Sequence, residues 1–302
     1  MLSGVKLICP SDSLIILRLP NEGISMRFAV IGNRGLFGSE MMLVLADRGY
    51  EVLGLNRETL NLDDSIESIA RQLESFDAVV NAVAYTAVDK AESEIELANL
   101  VNGDYAGKLA HASKIVGAKF LHLSTDYVFD GNSKVPYPTG AIPNPQGAYG
   151  RSKLLGEKLV EDSGANYTIF RTAWLYGAHG RCFPKVMHEK AMQGDPLRVI
   201  NDQFGQPTWT RDFAEQILSY AQLDNAPAIV HCVSSGEASW FDFAAEIVGD
   251  YPIEPVSSGE FVTAARRPKY SVLDNSSDLV APIADWKQRW LVSKDDVLGL
   301  LK

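Results

Sequence analysis

Tyr149 and Lys153 stand four residues apart in the string YGRSK at 149–153. On a helix such a pair shares a face. The ammonium would then sit beside the phenol, stabilise its anion and lower a pKa that starts near 10. A phenol tuned in this way can protonate a ketone oxygen as a nicotinamide delivers hydride. Thr125 ends the apolar run AKFLHLST at 118–125. A strand of a doubly wound sheet presents its ligand-facing residues at that end, so the Thr125 hydroxyl can bond the same ketone oxygen. A Tyr-x-x-x-Lys pair alone is common on helix surfaces. Preceded by a glycine loop and a strand ending in Ser-Thr, it is far more specific.

The elements that must position these groups follow from hydrophobic periodicity. RFAVIG at 27–32 reads as a buried strand, and GSEMMLVLADRG at 38–49 as a helix stopped by Gly49. Between them, VIGNRGLFG spaces Gly32, Gly35 and Gly38 as G-x-x-G-x-x-G. Glycines there allow a tight turn and close backbone approach to a pyrophosphate, which the helix N-terminus attracts. Strand two, YEVLGLN at 50–56, ends in LNRE. Arg57 there favours a 2′-phosphate and hence NADPH, although Glu58 beside it leaves NADH open. SIESIARQLESF reads as a helix capped by Ser65, DAVVNAVA as a strand, and EIELANLVNGDYAGKLAHASKIVG as one long helix. GRSKLLGEKLVEDSG reads as the helix that carries Lys153, and YTIFRTAWLYG as the strand after it.

Strands buried on both faces, each followed by a helix, imply an α/β fold: a Rossmann-type doubly wound parallel sheet. Beyond residue 175 the pattern loosens and glycine and proline become frequent. We read 26–175 as the NAD(P)-binding domain, with returning segments at about 206–235, including the strand AIVHCVS. Residues 176–302 then form mainly a smaller substrate-binding lobe. Residues 1–25 read as an N-terminal extension, with the domain proper beginning at Met26; they show no basic n-region or cleavage pattern.

The bulk numbers bound the function. The chain has 302 residues, 46% hydrophobic and 22% charged, with a net charge of -10. Such an acidic protein is a poor nucleic-acid partner. No apolar run approaches the roughly 20 residues of a membrane span. Cys9, Cys182 and Cys232 show no metal-ligand spacing and fit reduced thiols in a cytoplasmic protein.

The glycine loop, Thr125 and the Tyr149–Lys153 pair resemble the extended short-chain dehydrogenases/reductases. Longer strings are similar to the dTDP-4-dehydrorhamnose reductase branch: VNAVAYTAVDKAESE (80–94), LSTDYVFDG (123–131), YGRSKLLGE (149–157), FRTAWLYG (170–177), VINDQFGQPT (199–208) and RRPKYSVLD (266–274). The resemblance covers residues 26–302. It implies NAD(P)H-dependent reduction of the 4-keto group of dTDP-4-dehydro-L-rhamnose, with Thr125, Tyr149 and Lys153 catalytic. It further implies that Gly35, Leu36 and Phe37 contact the pyrophosphate. Ala84, Tyr85 and Thr86 would border the cofactor's ribose and nicotinamide, and Thr125, Asp126 and Trp174 would hold the sugar. Where the family often carries Asp-Leu beside the adenine, this chain has Asn61-Leu62. AIPNPQGAYG at 141–150 lacks the acids that often precede the tyrosine. Some members hold a metal at a dimer contact; no ligand cluster is evident here, so Mg2+ and a homodimer stay open.

Three alternatives bear on this reading. Related nucleotide-sugar reductases and epimerases use similar frames. Sugar-nucleotide 4,6-dehydratases need Asp-Glu directly after the threonine, and this chain has Asp126-Tyr127, which speaks for simple reduction. A regulatory subunit of methionine adenosyltransferase also resembles these reductases, but the intact Thr125, Tyr149 and Lys153 favour an enzyme. The remaining marked residues have plainer readings: His111 and His122 as packing or surface groups, Arg181, Arg266 and Arg267 as either phosphate partners or a solvated face. Ser239 reads as a helix cap with Asp242 in the first turn.

Overall fold

A computed structural model describes residues 26–261 and 263–300. The expected extension at 1–25, with Cys9, lies outside the described residues. The first part of the chain runs β1 (Arg27–Ile31), α1 (Leu36–Asp47), β2 (Glu51–Leu55), α2 (Ile66–Leu73), β3 (Ala78–Asn81), α3 (Tyr105–Val116), β4 (Lys119–Thr125), α4 (Ala148–Ser163) and β5 (Tyr167–Thr172). There follow α5 (Phe183–Gln193), α6 (Thr210–Ala221), β6 (Ile229–His231), α7 (Trp240–Val248) and α8 (Trp286–Val297).

The central sheet has six strands in the order β6-β5-β4-β3-β1-β2. Every pairing in it is parallel. Side chains alternate across the pleat, so each strand feeds two cores. Phe28, Val30, Val80 and Leu121 pack under α1 and α6, while Ala29, Ile31, Val79 and Phe120 pack under α2 and α3. The strand order reverses between β1 and β3, and open α/β sheets bind ligands at such a switch point. The strand expected in AIVHCVS is β6, at the edge beside β5.

The long helix expected before β4 is not regular. A helix at Ile95–Asn99 passes through a wide π-turn at Leu100–Asp104 before α3 begins. The expected caps form: Ser65 accepts the Ser68 amide at 3.3 Å. Ser239 accepts the Asp242 amide at 3.0 Å while Asp242 accepts the Ser239 amide at 2.9 Å.

Beyond β5 the chain pairs in short pieces. Leu197–Ile200 runs parallel to Ile253–Val256, and Phe204–Gly205 antiparallel to Ala238–Ser239. An aromatic core of Tyr176, Phe243, Trp286 and Trp290 supports them.

Candidate active site

The glycine loop leaves β1 and turns at Gly32, whose φ of +87° favours glycine. Its amide donates to the Leu55 carbonyl at 2.8 Å, which holds the loop over the end of β2. Gly38 has a different reason to lack a side chain: a Cβ there would lie 2.2 Å from the Gly32 carbonyl oxygen. At Gly35 the nearest atom to such a Cβ is 3.4 Å away, an ordinary contact, and the residue borders an open cleft. Helix α1 starts at Gly35 without a side-chain cap, leaving first-turn N–H groups for an anion. The Phe37 ring packs on Phe213 at 4.9 Å, so of Phe37 only the backbone is available to a phosphate.

A cleft of about 550 Å³ opens from this loop and is lined by Gly32, Gly35, Arg57, Asn61, Leu62 and Ala84. These are positions expected from the sequence. Arg34 also lines it and was not expected; the signal was a basic residue inside the glycine loop. Arg34 pairs with Glu58 at 2.8 Å, so the acid beside Arg57 is engaged elsewhere. Asn61 shapes its own loop, accepting the Asp63 amide at 3.2 Å and donating to Asp64 at 2.8 Å.

Tyr85 and Thr86 fall beyond the cleft lining. Asn102, at the π-turn, binds both backbone groups of Tyr85, at 2.8 Å and 3.0 Å. It also donates to Ser152 on α4 at 2.9 Å. Asn102 is therefore the hub that ties the Tyr85 strand exit to α4. The sequence signal for it was the Asn-Gly pair inside a helical run.

Thr125 closes β4, and α4 brings Tyr149 and Lys153 to the same sheet edge. The Thr125 hydroxyl donates to Asp126 Oδ1 at 2.9 Å and accepts the Tyr127 amide at 3.2 Å. Burial pushes the Tyr149 phenol up to about 12; the Thr125 hydroxyl pulls it back and the Asp126 charge adds to the rise. This corrects the expectation that Lys153 lowers the phenol. Lys153 instead donates to the Leu123 carbonyl at 2.6 Å, and burial pushes its own ammonium down to about 8 against the pull of Glu157.

Asp126 is 2% exposed, and burial lifts its carboxyl to about 6. Its Oδ2 has no hydrogen-bond partner among the described residues. The Tyr127 ring meets Tyr149 edge-on at 5.6 Å, and burial raises its phenol strongly. Arg267 stands near Tyr127 and grips Asp89 with two bonds, at 3.1 Å and 2.7 Å.

Trp174 is the only non-glycine residue with positive φ, at 45°, among those described. Its ring stacks on Trp240 of α7 at 3.5 Å and backs onto Gly205, where a Cβ would meet it at 2.5 Å. Backbone strain of this kind gathers at ligand sites. Trp240 lines a second, largely apolar cavity of about 320 Å³ that also contains Phe183, Met187 and Arg267. Sequence reasoning placed Trp240 only as a residue of a capped helix.

Three of the remaining marked residues are buried in the core. His122 is fully buried, shares a hydrogen bond of 3.1 Å with Asn81, and is pushed well below its usual pKa. Cys182 and Cys232 are buried free thiols. Among the described residues no helix is long and apolar enough to cross a membrane.

Residues 26–291 match the family described as RmlD substrate binding domain. The chain is 39% identical over 274 residues to the dTDP-4-dehydrorhamnose reductase of Burkholderia thailandensis, covering 83% of this chain and 91% of that protein. A crystal structure of a dTDP-4-dehydrorhamnose reductase from Clostridium acetobutylicum is 36% identical, with a TM-score of 0.85, covering 91% of this chain and 99% of that one. The Bacillus anthracis enzyme in complex with NADP is 30% identical with a TM-score of 0.85, covering 89% and 99% of the two chains. A match that runs from the first strand and glycine loop into the C-terminal helix, at this identity and with the same fold, identifies the chain as a member of the RmlD family of dTDP-4-dehydrorhamnose reductases.

Proposed function

We propose that this protein reduces the C4 ketone of a dTDP-4-dehydro-6-deoxy sugar, taking dTDP-4-dehydro-L-rhamnose to dTDP-L-rhamnose, with NADPH preferred over NADH. The observation that carries this reading is the docking of α4 on the end of β4, where Lys153 bonds the Leu123 carbonyl at 2.6 Å and the Tyr149 ring meets Tyr127, two residues past Thr125, edge-on at 5.6 Å. The residues present fit a dinucleotide. An uncapped α1 offers amides to the pyrophosphate, the space beside Gly35 admits it, and Arg34 and Arg57 suit a 2′-phosphate.

Bound in that cleft, the reduced nicotinamide supplies the hydride. Tyr149 keeps its proton at neutral pH because burial disfavours the phenolate, and it delivers that proton to the ketone oxygen as negative charge develops there. Thr125 can swing its hydroxyl from Asp126 to the same oxygen and orient it. Lys153, bonded to the Leu123 carbonyl, carries its positive charge on the same face of α4, one turn from Tyr149. Tyr127 cannot act as a base at neutral pH, because its phenol is raised by burial, so elimination of water is not supported.

The test is NADPH oxidation on adding dTDP-4-dehydrorhamnose, with the configuration at C4 of the product read by NMR. Turnover giving dTDP-L-rhamnose is expected, and a lower KM for NADPH than for NADH. Absence of oxidation with this substrate would overturn the assignment.

A further inference from the structure

Three successive turns of α4 face three successive residues of β4. Tyr149 meets Thr125, Lys153 bonds the Leu123 carbonyl at 2.6 Å, and Glu157 accepts the Ser124 hydroxyl. The first two contacts belong to the proposed chemistry, whereas the third has no assigned role. Glu157 also receives a two-pronged grip from Arg171, with Nε to Oε1 at 2.9 Å and Nη2 to Oε2 at 2.6 Å. Arg171 sits on β5 directly beside Ser124 in the parallel register. The guanidinium is further held by the Thr139 carbonyl at 3.3 Å and lies over the Phe129 ring at 5.1 Å.

All four groups are out of water: Ser124 is 4% exposed, Lys153 2%, Glu157 4% and Arg171 2%. A buried ion pair gains little stability over apolar packing of the same shape, so its presence calls for another function. Here the carboxylate stands one helical turn beyond Lys153 on the same face. It is the negative group that acts on that ammonium, opposing the effect of burial.

We propose that Glu157 is a positioning residue for the reduction, clamping the Thr125 end of β4 to α4 through Ser124 and Arg171 and setting a carboxylate one helical turn from Lys153. The charged and titratable groups around Lys153 are Tyr149 and Glu157 on its own helix, His122 on β4 and Arg171 on β5. His122 is buried and held neutral, and its own titration is depressed by Lys153. Glu157 is therefore the group whose removal changes the field at Lys153 in the direction of proton loss.

The inference rests on the proposed function for its meaning, but its test does not require turnover. The full chain, labelled with 13C at the lysine ε-carbons, is titrated by NMR, with Lys153→Met assigning the resonance. Glu157→Gln leaves a buried guanidinium unpaired and can fail to fold, so Glu157→Gln/Arg171→Met, which removes both charges, is titrated as well. In Glu157→Gln the Lys153 midpoint should fall by about one pH unit or more, the usual effect of losing a close opposite charge; in the double variant, which also loses a repelling guanidinium, it should fall in the same direction by a smaller interval. Glu157→Asp should restore most of it. The alkaline limb of kcat/KM should move to lower pH by the same interval. An unchanged Lys153 midpoint in a folded variant would overturn the proposal and leave the ion pair a purely structural tie. Failure of wild-type turnover would instead overturn the functional assignment, with the titration still deciding the role of Glu157.

Discussion

In the proposed reaction Tyr149 is the residue on which the chemistry turns. Its phenol is raised to about 12, so it enters the reaction as an acid with its proton in place. Tyr149→Phe should lower kcat by about 10²–10⁴-fold, the usual contribution of a positioned general acid. NADPH affinity, measured by fluorescence titration, should stay nearly unchanged; a variant with near wild-type kcat would remove Tyr149 from this role. Asp126 makes a separate prediction through stability. Its carboxyl is raised from 3.8 to about 6 because it is buried. A raised carboxyl favours the folded state fully when protonated, and that contribution is lost as pH climbs from about 4 through about 6. Asp126→Asn, which carries no such charge, should therefore gain stability relative to wild type at pH 7.5, by on the order of 3 kcal/mol. The gain should shrink toward pH 4. Urea unfolding at both values checks this, and an equal difference at the two would refute it.

At the scale of elements, the β1–α1 turn is fixed by close backbone packing more than by flexibility. Gly38 sits where any Cβ strikes the Gly32 carbonyl at 2.2 Å, and the obstruction is main chain, which cannot rotate away. Gly38→Ala should cost about 1–3 kcal/mol of stability, as overpacking does, and push α1 off the loop. Its KM for NADPH should rise about tenfold or more, while Gly35→Ala should impair cofactor binding with little loss of stability. Thermal unfolding and NADPH titration of the two variants separate these effects; similar stability losses in both would contradict the distinction. Helix α4 and strand β4 work as a second unit. Their three paired contacts deliver Thr125, Tyr149 and Lys153 to one edge of the sheet.

For the whole molecule, the cleft at the sheet's switch point must be brought against a cavity built by distant chain. The Arg267–Asp89 bridge does this: residues 178 positions apart are joined at 2.7 Å, next to Tyr127 and the cavity lined by Trp240. Arg267→Ala should raise KM for the nucleotide sugar about tenfold, an ordinary value for a charge-assisted contact, with KM for NADPH little changed. Equal effects on both substrates, or none on the sugar, in steady-state kinetics would count against it.

The sequence alone determined the alternation of buried strands and helices, the glycine loop between β1 and α1, the caps at Ser65 and Ser239, the place of Thr125 at a strand end and that of Tyr149 and Lys153 on one helix. Each depends on local rules: side-chain period, backbone freedom at glycine, and spacing along one helix. The tertiary structure decided the rest. It diverted Glu58 to Arg34, put Asn102 at a π-turn between Tyr85 and Ser152, and stacked Trp240 on Trp174. It also turned Lys153 toward the Leu123 carbonyl and raised Tyr149 where helical spacing had implied a lowered phenol. These outcomes depend on which distant backbone and side-chain groups share a buried, low-dielectric space, and that is set by strand order and register.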